Sequence, residues 1–293
     1  ELLILSALPQ QASAHGERAT EPYIRTSTVH WYDVTWSTDK LKVDVKLTTE
    51  HKSEMPRAFE AGSSPYDAAA VANSSIVQPQ SKGQLMPLND FVDKYRDQYK
   101  IEDQMLIRFG EDIMAVAFMA NAQVLYYRKD LFEKHGIAVP KTYDEVLAAA
   151  EKLKSDTSID HAFSAAYGNS WELGNEFVNM YMGLGADLVD PASSQPVFNS
   201  EAGVKTLEMM KNLVAYMSPN ALAIDFGAVK QQLQQGRIGM AFLWGDIAAT
   251  MDKPSESTVV DKIAFAPAPS MAPGLPPATL FWWDGYVIPK NLD

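Results

Sequence analysis

Residues 118–133, FMANAQVLYYRKDLFE, leave few folds open. Phe118 to Ala122 mixes small and polar residues. Gln123 to Tyr127 is then an apolar, aromatic run of strand type, and Arg128-Lys129-Asp130 is read as a cap on a helix that begins at Leu131-Phe132. A strand that leaves a segment of small residues and feeds a new helix suits a passage between two lobes, because such a backbone can absorb rotation without unpacking a core. Strand side chains alternate, so Asn121 and Gln123 share one face of this passage, and their amides would offer donors and acceptors to a cleft.

Composition narrows the classes of function. A chain of 293 residues that is 46% hydrophobic can build two cores. Its net charge of −12 repels nucleic acid and anionic membrane surfaces, and leaves neutral or cationic ligands open. With no cysteine it has no disulfide framework, thiolate metal site, cysteine nucleophile or acylated cysteine within these residues. No apolar run reaches the roughly 20 residues of a membrane span. The opening ELLILSALPQQASA ends in Ala12-Ser13-Ala14, a small-x-small pattern of the kind signal peptidase cuts, but Leu2 to Leu5 is preferred as a first core strand.

Along the chain, His15 to Lys42 carries little helical pattern and many β-branched and aromatic residues. Trp31, Tyr32 and Trp36 there are candidate ligand platforms. Val43 to Thr48 alternates as a strand, Glu50 to Ala61 reads as a helix stopped by Gly62, and Tyr66 to Val71 is a short buried strand. Asn73 follows at that strand's carboxyl end, where open α/β sheets place ligands. Tyr143 to Lys154, the helix opened by Trp171 and Glu172, and Gly203 to Tyr216 with Asn199-Ser200 as its cap form a second α/β series. Phe177, Met180, Tyr181 and Leu184 are its packing face.

Several of these stretches resemble the extracytoplasmic solute-binding proteins of ABC transporters, in the sugar-binding branch that includes maltose-binding protein. The similarity runs through FMANAQVLYYRKDLFEKHGIAVPKTYDEVLAAAEKLK, AGSSPYD, GQLMPLNDFVDKY, VKQQLQQGRIGMAFLWGDIAATM, KIAFAPAP and FWWDGYVIPK. It covers residues 43–293 well and the first 42 poorly, where the family pattern has an amphipathic helix.

The resemblance implies a two-lobed type II periplasmic-binding-protein fold, each lobe a βα sandwich, hinge-linked with a ligand cleft between. Residues 1–117 plus 269–293 would be lobe 1, 118–122 and 264–268 the hinge crossings, and 123–263 lobe 2. It also implies that a C-terminal part is missing. The implied function is capture of a mono- or oligosaccharide in the periplasm and delivery to a membrane permease by lobe closure, as a monomer, without cofactor, metal or catalysis.

The family pattern sets Trp244 and Asp246 at the ligand edge of lobe 2, and Trp283, favoured over Trp282, with Asp284 on lobe 1. Trp171, Glu172, Asn121, Gln123 and Asn73 complete the candidate ligand-binding set. Tryptophan faces accept the C–H face of a pyranose, while carboxylates and amides take its rim hydroxyls. Two alternatives use the same residues: a non-sugar solute such as a polyol, an opine or a peptide, and a carbohydrate-active enzyme. The enzyme would need Asp246 and Asp284 about 5 Å or about 6.5–9.5 Å apart. No Walker loop, GxGxxG, GxSxG or HExxH supports another chemistry.

Overall fold

The strand-to-helix stretch forms where the alternation placed it, and it is longer than expected. In the computed structural model, which describes residues 23–28, 37–38, 41–47 and 51–292, with side chains from Glu54 onward, it is part of a strand running from Asp112 to Arg128. The chain divides into two compact units, residues 1–120 with 282–293 and residues 121–281. The expected strand at Leu2 to Leu5, the Ala12-Ser13-Ala14 pattern and the platforms Trp31, Tyr32 and Trp36 lie outside the described residues.

In the first unit, β1 (Tyr23–Thr28) lies where the family pattern has a helix, and the β-branched content of that stretch accounts for the difference. It runs parallel to β3 (Leu41–Leu47), which also pairs antiparallel with the short β2 (Ser37–Thr38). Helix α1 (His51–Glu60) follows, and β4 (Ala68–Ala72) pairs parallel with β1. β4 starts two residues later than the sequence suggested. Ser64 Oγ donates to Tyr66 O (2.7 Å) and accepts from Tyr66 N (3.1 Å), so a turn takes up the first residues of the expected strand.

Helices α2 (Val77–Ser81) and α3 (Asn89–Tyr99) lead to β5 (Leu106–Phe109), antiparallel to the start of β6 (Asp112–Arg128). The sheet of this unit closes late in sequence. β10 (Phe281–Val287) returns between β4 and β6, giving the order β2-β3-β1-β4-β10-β6. Met55, Phe59, Val71, Ile76, Leu85, Met114 and Val287 pack one core. A second cluster gathers Leu88, Val92, Ile101, Leu106, Ile113 and Val116.

The second unit is a sheet covered on both faces. Its order, β9-β6-β8-β7, joins the later part of β6 to β8 (Ile238–Trp244) and β9 (Ile263–Pro267), both antiparallel, and β7 (His161–Ser164) runs parallel to β8. Alternation sorts the side chains. Leu125, Phe163, Met240 and Phe242 face one core with α5 (Tyr143–Leu153), α6 (Trp171–Gly183) and α7 (Glu201–Val214), whereas Tyr126, Ala241 and Leu243 face another with α8 (Phe226–Gln234).

Four helix starts of the second unit are capped by a side chain. Thr142, Ser170, Ser200 and Asp225 each accept from a backbone N–H two or three residues on. The short α4 (Lys129–Lys134) differs: Arg128 gives it no side-chain cap, and Asp130, within the first turn, instead receives the buried Arg128 guanidinium at 2.6 and 2.8 Å.

Residues 264–268, expected as the return crossing, pair along β6 as β9 and its end, within the second unit. The chain changes unit between Ala120 and Asn121 and again between Phe281 and Trp282. Among the described residues no helix is long and apolar enough to cross a membrane.

Candidate functional site

At the carboxyl end of β8 the second unit presents a row of three aromatic rings. Trp171, the first residue of α6, lies 5.7 Å centroid to centroid from Phe226, the first residue of α8, and Phe226 lies 5.8 Å from Trp244 at 65°. Trp171 is 54% exposed and Trp244 is half-buried, so the row is partly open to solvent.

Backbone pairing holds the two helix starts together. Gly168 N donates to Ile224 O (2.7 Å) and Asn169 N to Leu222 O (3.0 Å), and then Phe226 N donates to Glu172 Oε1 at 3.2 Å. Glu172 is thus a buried tie between α6 and α8. Desolvation pushes its carboxyl above the usual range, with Asp225 adding to the rise, against the pull of the Phe226 N–H and Ser170.

Trp244 is fixed from below. Tyr126, on β6, donates its hydroxyl to Trp244 O at 2.8 Å, and burial, with the nearby Asp246 charge, pushes that phenol upward. Asn121 Oδ1 accepts from Asp246 N (3.3 Å), joining the start of this unit to the turn that follows Trp244. Asp246 itself is exposed. The second unit therefore gathers Trp171, Glu172, Trp244, Asp246 and Asn121, and adds Phe226, which carries no local sequence signal.

Gln123 departs from its expected role. Only 2% exposed, it donates from Nε2 to Glu176 Oε1 (2.7 Å) and accepts on Oε1 from Asn175 Nδ2 (2.9 Å) and from Asn179 Nδ2. Its amide is spent inside the unit. Helix α6 covers this side chain, through Asn175 and Asn179.

In the first unit, β10 turns the expected Trp283 into the core. Trp283 is 9% exposed and packs in the core with Met55, Phe59 and Val71. Trp282 and Asp284 share the opposite face, where Trp282 Nε1 donates to Asp284 Oδ2 at 3.2 Å. Tyr286 follows on that face, its ring 4.8 Å from Phe118. Asn73 lies just beyond β4, half-buried, its N–H donating to Trp283 O at 3.3 Å. Asp246 and Asp284, the carboxylates an enzyme reading would pair, belong to different units.

Each unit is an α/β sheet, and the second carries aromatic and acidic groups at the carboxyl end of β8. The model of the bacterial extracellular solute-binding protein family matches residues 35–292, and the chain belongs to that family. A probable amino-acid ABC transporter periplasmic-binding protein of Sinorhizobium fredii is 29% identical over 166 residues, 55% of this chain and 38% of that protein. A probable ABC transporter-binding protein of Deinococcus radiodurans is 28% identical over 59% of this chain and 43% of its own length. The chain thus spans about two fifths of these curated relatives.

Among solved structures, an ABC transporter solute-binding protein from Agrobacterium radiobacter K84 in complex with ribitol superposes with a TM-score of 0.77 at 23% identity. That match covers 93% of this chain and 72% of the other. The maltose-bound MalE3 of T. maritima gives 0.76 at 20%, covering 92% and 73%. The fold is that of the two-lobed periplasmic binding proteins.

Proposed function

We propose that this chain is the periplasmic, solute-capturing component of an ABC importer, and that it binds a neutral, hydroxyl-rich molecule, a carbohydrate or polyol, without making or breaking a bond. The observation that carries the reading is the Trp171–Phe226–Trp244 row beside Glu172 and Asp246. Apolar C–H faces lie flat on such rings, and acidic oxygens accept rim hydroxyls. The carbohydrate and polyol ligands of the structural neighbours support the same chemistry. Delivery would be to a membrane permease, with the protein acting as a monomer. The Trp282–Asp284 face of the first unit has the same composition and is the second surface assigned to ligand.

A second reading rests on the relative named for amino acids and on the acidic character of Glu172, Asp225 and Asp246. A cationic solute would be held by charge and by cation–π contact with the same rings. A thermal-shift series with maltose, ribitol, mannitol, arginine and lysine separates the two, since a ligand that binds only the folded state raises the melting temperature by mass action. The first reading expects a shift with a saccharide or polyol that Trp244→Ala removes. A shift confined to the basic amino acids transfers the proposal to cationic solutes, and a saccharide shift that survives both Trp244→Ala and Phe226→Ala refutes the aromatic row as the site.

A further inference from the structure

The polar cluster around Gln123 lies where the chain starts and ends its course through the second unit, at Asn121 and Phe281. Its hydrogen bonds have only one consistent orientation, and a backbone group sets it. Leu280 N is a donor that cannot invert, and it donates to Asn179 Oδ1 at 2.7 Å. Asn179 must therefore turn its Nδ2 toward Gln123, which in turn presents Oε1, already shared with Asn175 Nδ2. That leaves Gln123 Nε2 to donate, and Glu176 Oε1 receives it. Gln123 N also donates to Thr279 Oγ1 at 3.0 Å. The strand that opens the unit and the segment that closes it are thus tied twice, once directly and once through α6.

The network terminates on Glu176, which is 1% exposed. The titratable groups acting with it are Glu172, one turn earlier on α6, Tyr143 at the start of α5, and Tyr167 after β7; all are neutral or acidic. Gln123 from β6 supplies a neutral donor. A proton on Glu176 leaves Oε1 free to accept from Gln123 and removes a charge that none of these groups offsets.

We propose that Glu176 is the proton-sensitive pin of a clamp, formed with Gln123, Asn175 and Asn179, that makes residues 121–123 and 279–280 move as one body with α6. Loss of the proton puts an uncompensated charge in the cluster, and admitting water to solvate it separates α6 from both segments. Burial raises this carboxyl to about 8, so the change falls just above neutrality. Because Asn121 supports the turn that carries Asp246, the clamp also positions one edge of the candidate binding face.

Site-resolved hydrogen exchange tests this on the whole chain without a ligand, and hence independently of the proposed transport role. Protection is referenced at each pH to an unstructured peptide of the same sequence. Between about pH 6 and about pH 8 the amides of Gln123 and Leu280 should lose protection together, by about fivefold or more, and level off above that. Glu176→Gln should hold protection at both ends of the range. Asn179→Ala should expose Leu280 directly and Gln123 through release of its side chain, at either pH.

Protection in the native chain that is flat with pH, or loss at only one of the two amides, overturns the clamp. Loss in Glu176→Gln as large as in Asn179→Ala overturns the role of the proton. If Asn179→Ala does not fold, the pH series on the native chain and on Glu176→Gln still decides.

Discussion

Replacing Asp156 by asparagine keeps the shape of a side chain that is 1% exposed and changes which bonds it can make. In the native chain Oδ2 accepts from Lys134 Nζ (2.7 Å) and His135 Nε2 (2.6 Å), while Oδ1 accepts from Ser158 N (2.9 Å) and Ser158 Oγ (2.6 Å). An asparagine can keep its oxygen on the Ser158 side. Its amide nitrogen then faces Lys134 Nζ and His135 Nε2, so both bonds from the end of α4 lose their charged acceptor.

Such bonds contribute about 1.5–3 kcal/mol each when shielded. Lys134, 60% exposed, contributes at the low end or below, and His135, at 24%, carries more. The expected loss is about 3 kcal/mol near neutral pH. His135, Lys134 and Ser158 together hold the Asp156 carboxyl far below the ordinary carboxylate range. Its contribution is therefore complete above the unfolded-state value of about 4, and falls as the pH drops below that value toward the lower folded one.

Urea unfolding followed by tryptophan fluorescence at about pH 7 and about pH 3 reads both parts. The gap between the native chain and Asp156→Asn should be near 3 kcal/mol at the higher pH and narrower at the lower. A gap under about 0.5 kcal/mol at neutral pH, or one that widens in acid, refutes the reasoning.

Three further outcomes are expected. Glu176 has the opposite sign: with its folded value raised from 4.5 to about 8, the native chain should lose on the order of 5 kcal/mol from this group as pH rises across that window and nothing more above it. Glu176→Gln should lack that decline in urea titrations, and parallel profiles would sink the assignment. At Gly285 an added Cβ would lie 2.8 Å from Val116 O and 3.1 Å from its carbonyl carbon, so Gly285→Ala should destabilise by about 1–3 kcal/mol in calorimetry; an unchanged melting temperature would mean that β10 and β6 are free to part. Phe226→Ala removes two ring contacts of about 0.5–1.5 kcal/mol each and should weaken saccharide binding roughly tenfold in calorimetric titration, whereas equal affinity would place the ligand elsewhere.

Much of the architecture was legible because periodicity and caps are local. The helix expected over Tyr143 to Lys154 is α5, and its start is held locally: Thr142 Oγ1 accepts from Glu145 N and Glu145 Oε2 accepts from Lys141 N. Met180 and Tyr181, read as packing, are 0% and 1% exposed. The candidate site was legible in part. In WWDGY, once Asp284 is aimed away from the core, alternation sends Trp282 with it and Trp283 inward; the signal was present, but the family motif outweighed it.

Gln123 and Phe226 were not legible in the same way. The fate of Gln123 depends on asparagines more than fifty residues away, and the place of Phe226 depends on a contact with Glu172 across a similar gap. Neither leaves a local period. The passage at 281/282 was misplaced for a related reason: KIAFAPAP has strand character, but its partner is decided by which strand of the sheet is still unpaired.

The position of β10 has a consequence for synthesis. The first unit makes β1, β3, β4, β5 and the opening of β6 before the ribosome reaches residue 121, yet the strand that lies between β4 and β6 is the last of its described strands to be made. Until Trp282 and its successors emerge, both of those edges have unpaired N–H and C=O groups, and the apolar places later filled by Trp283 and Val287 stay open. The second unit, continuous in sequence, has all its partners by then. Order of birth and order of completion are therefore inverted: the segment made first is sealed last, and it is the one a chaperone would have to shield.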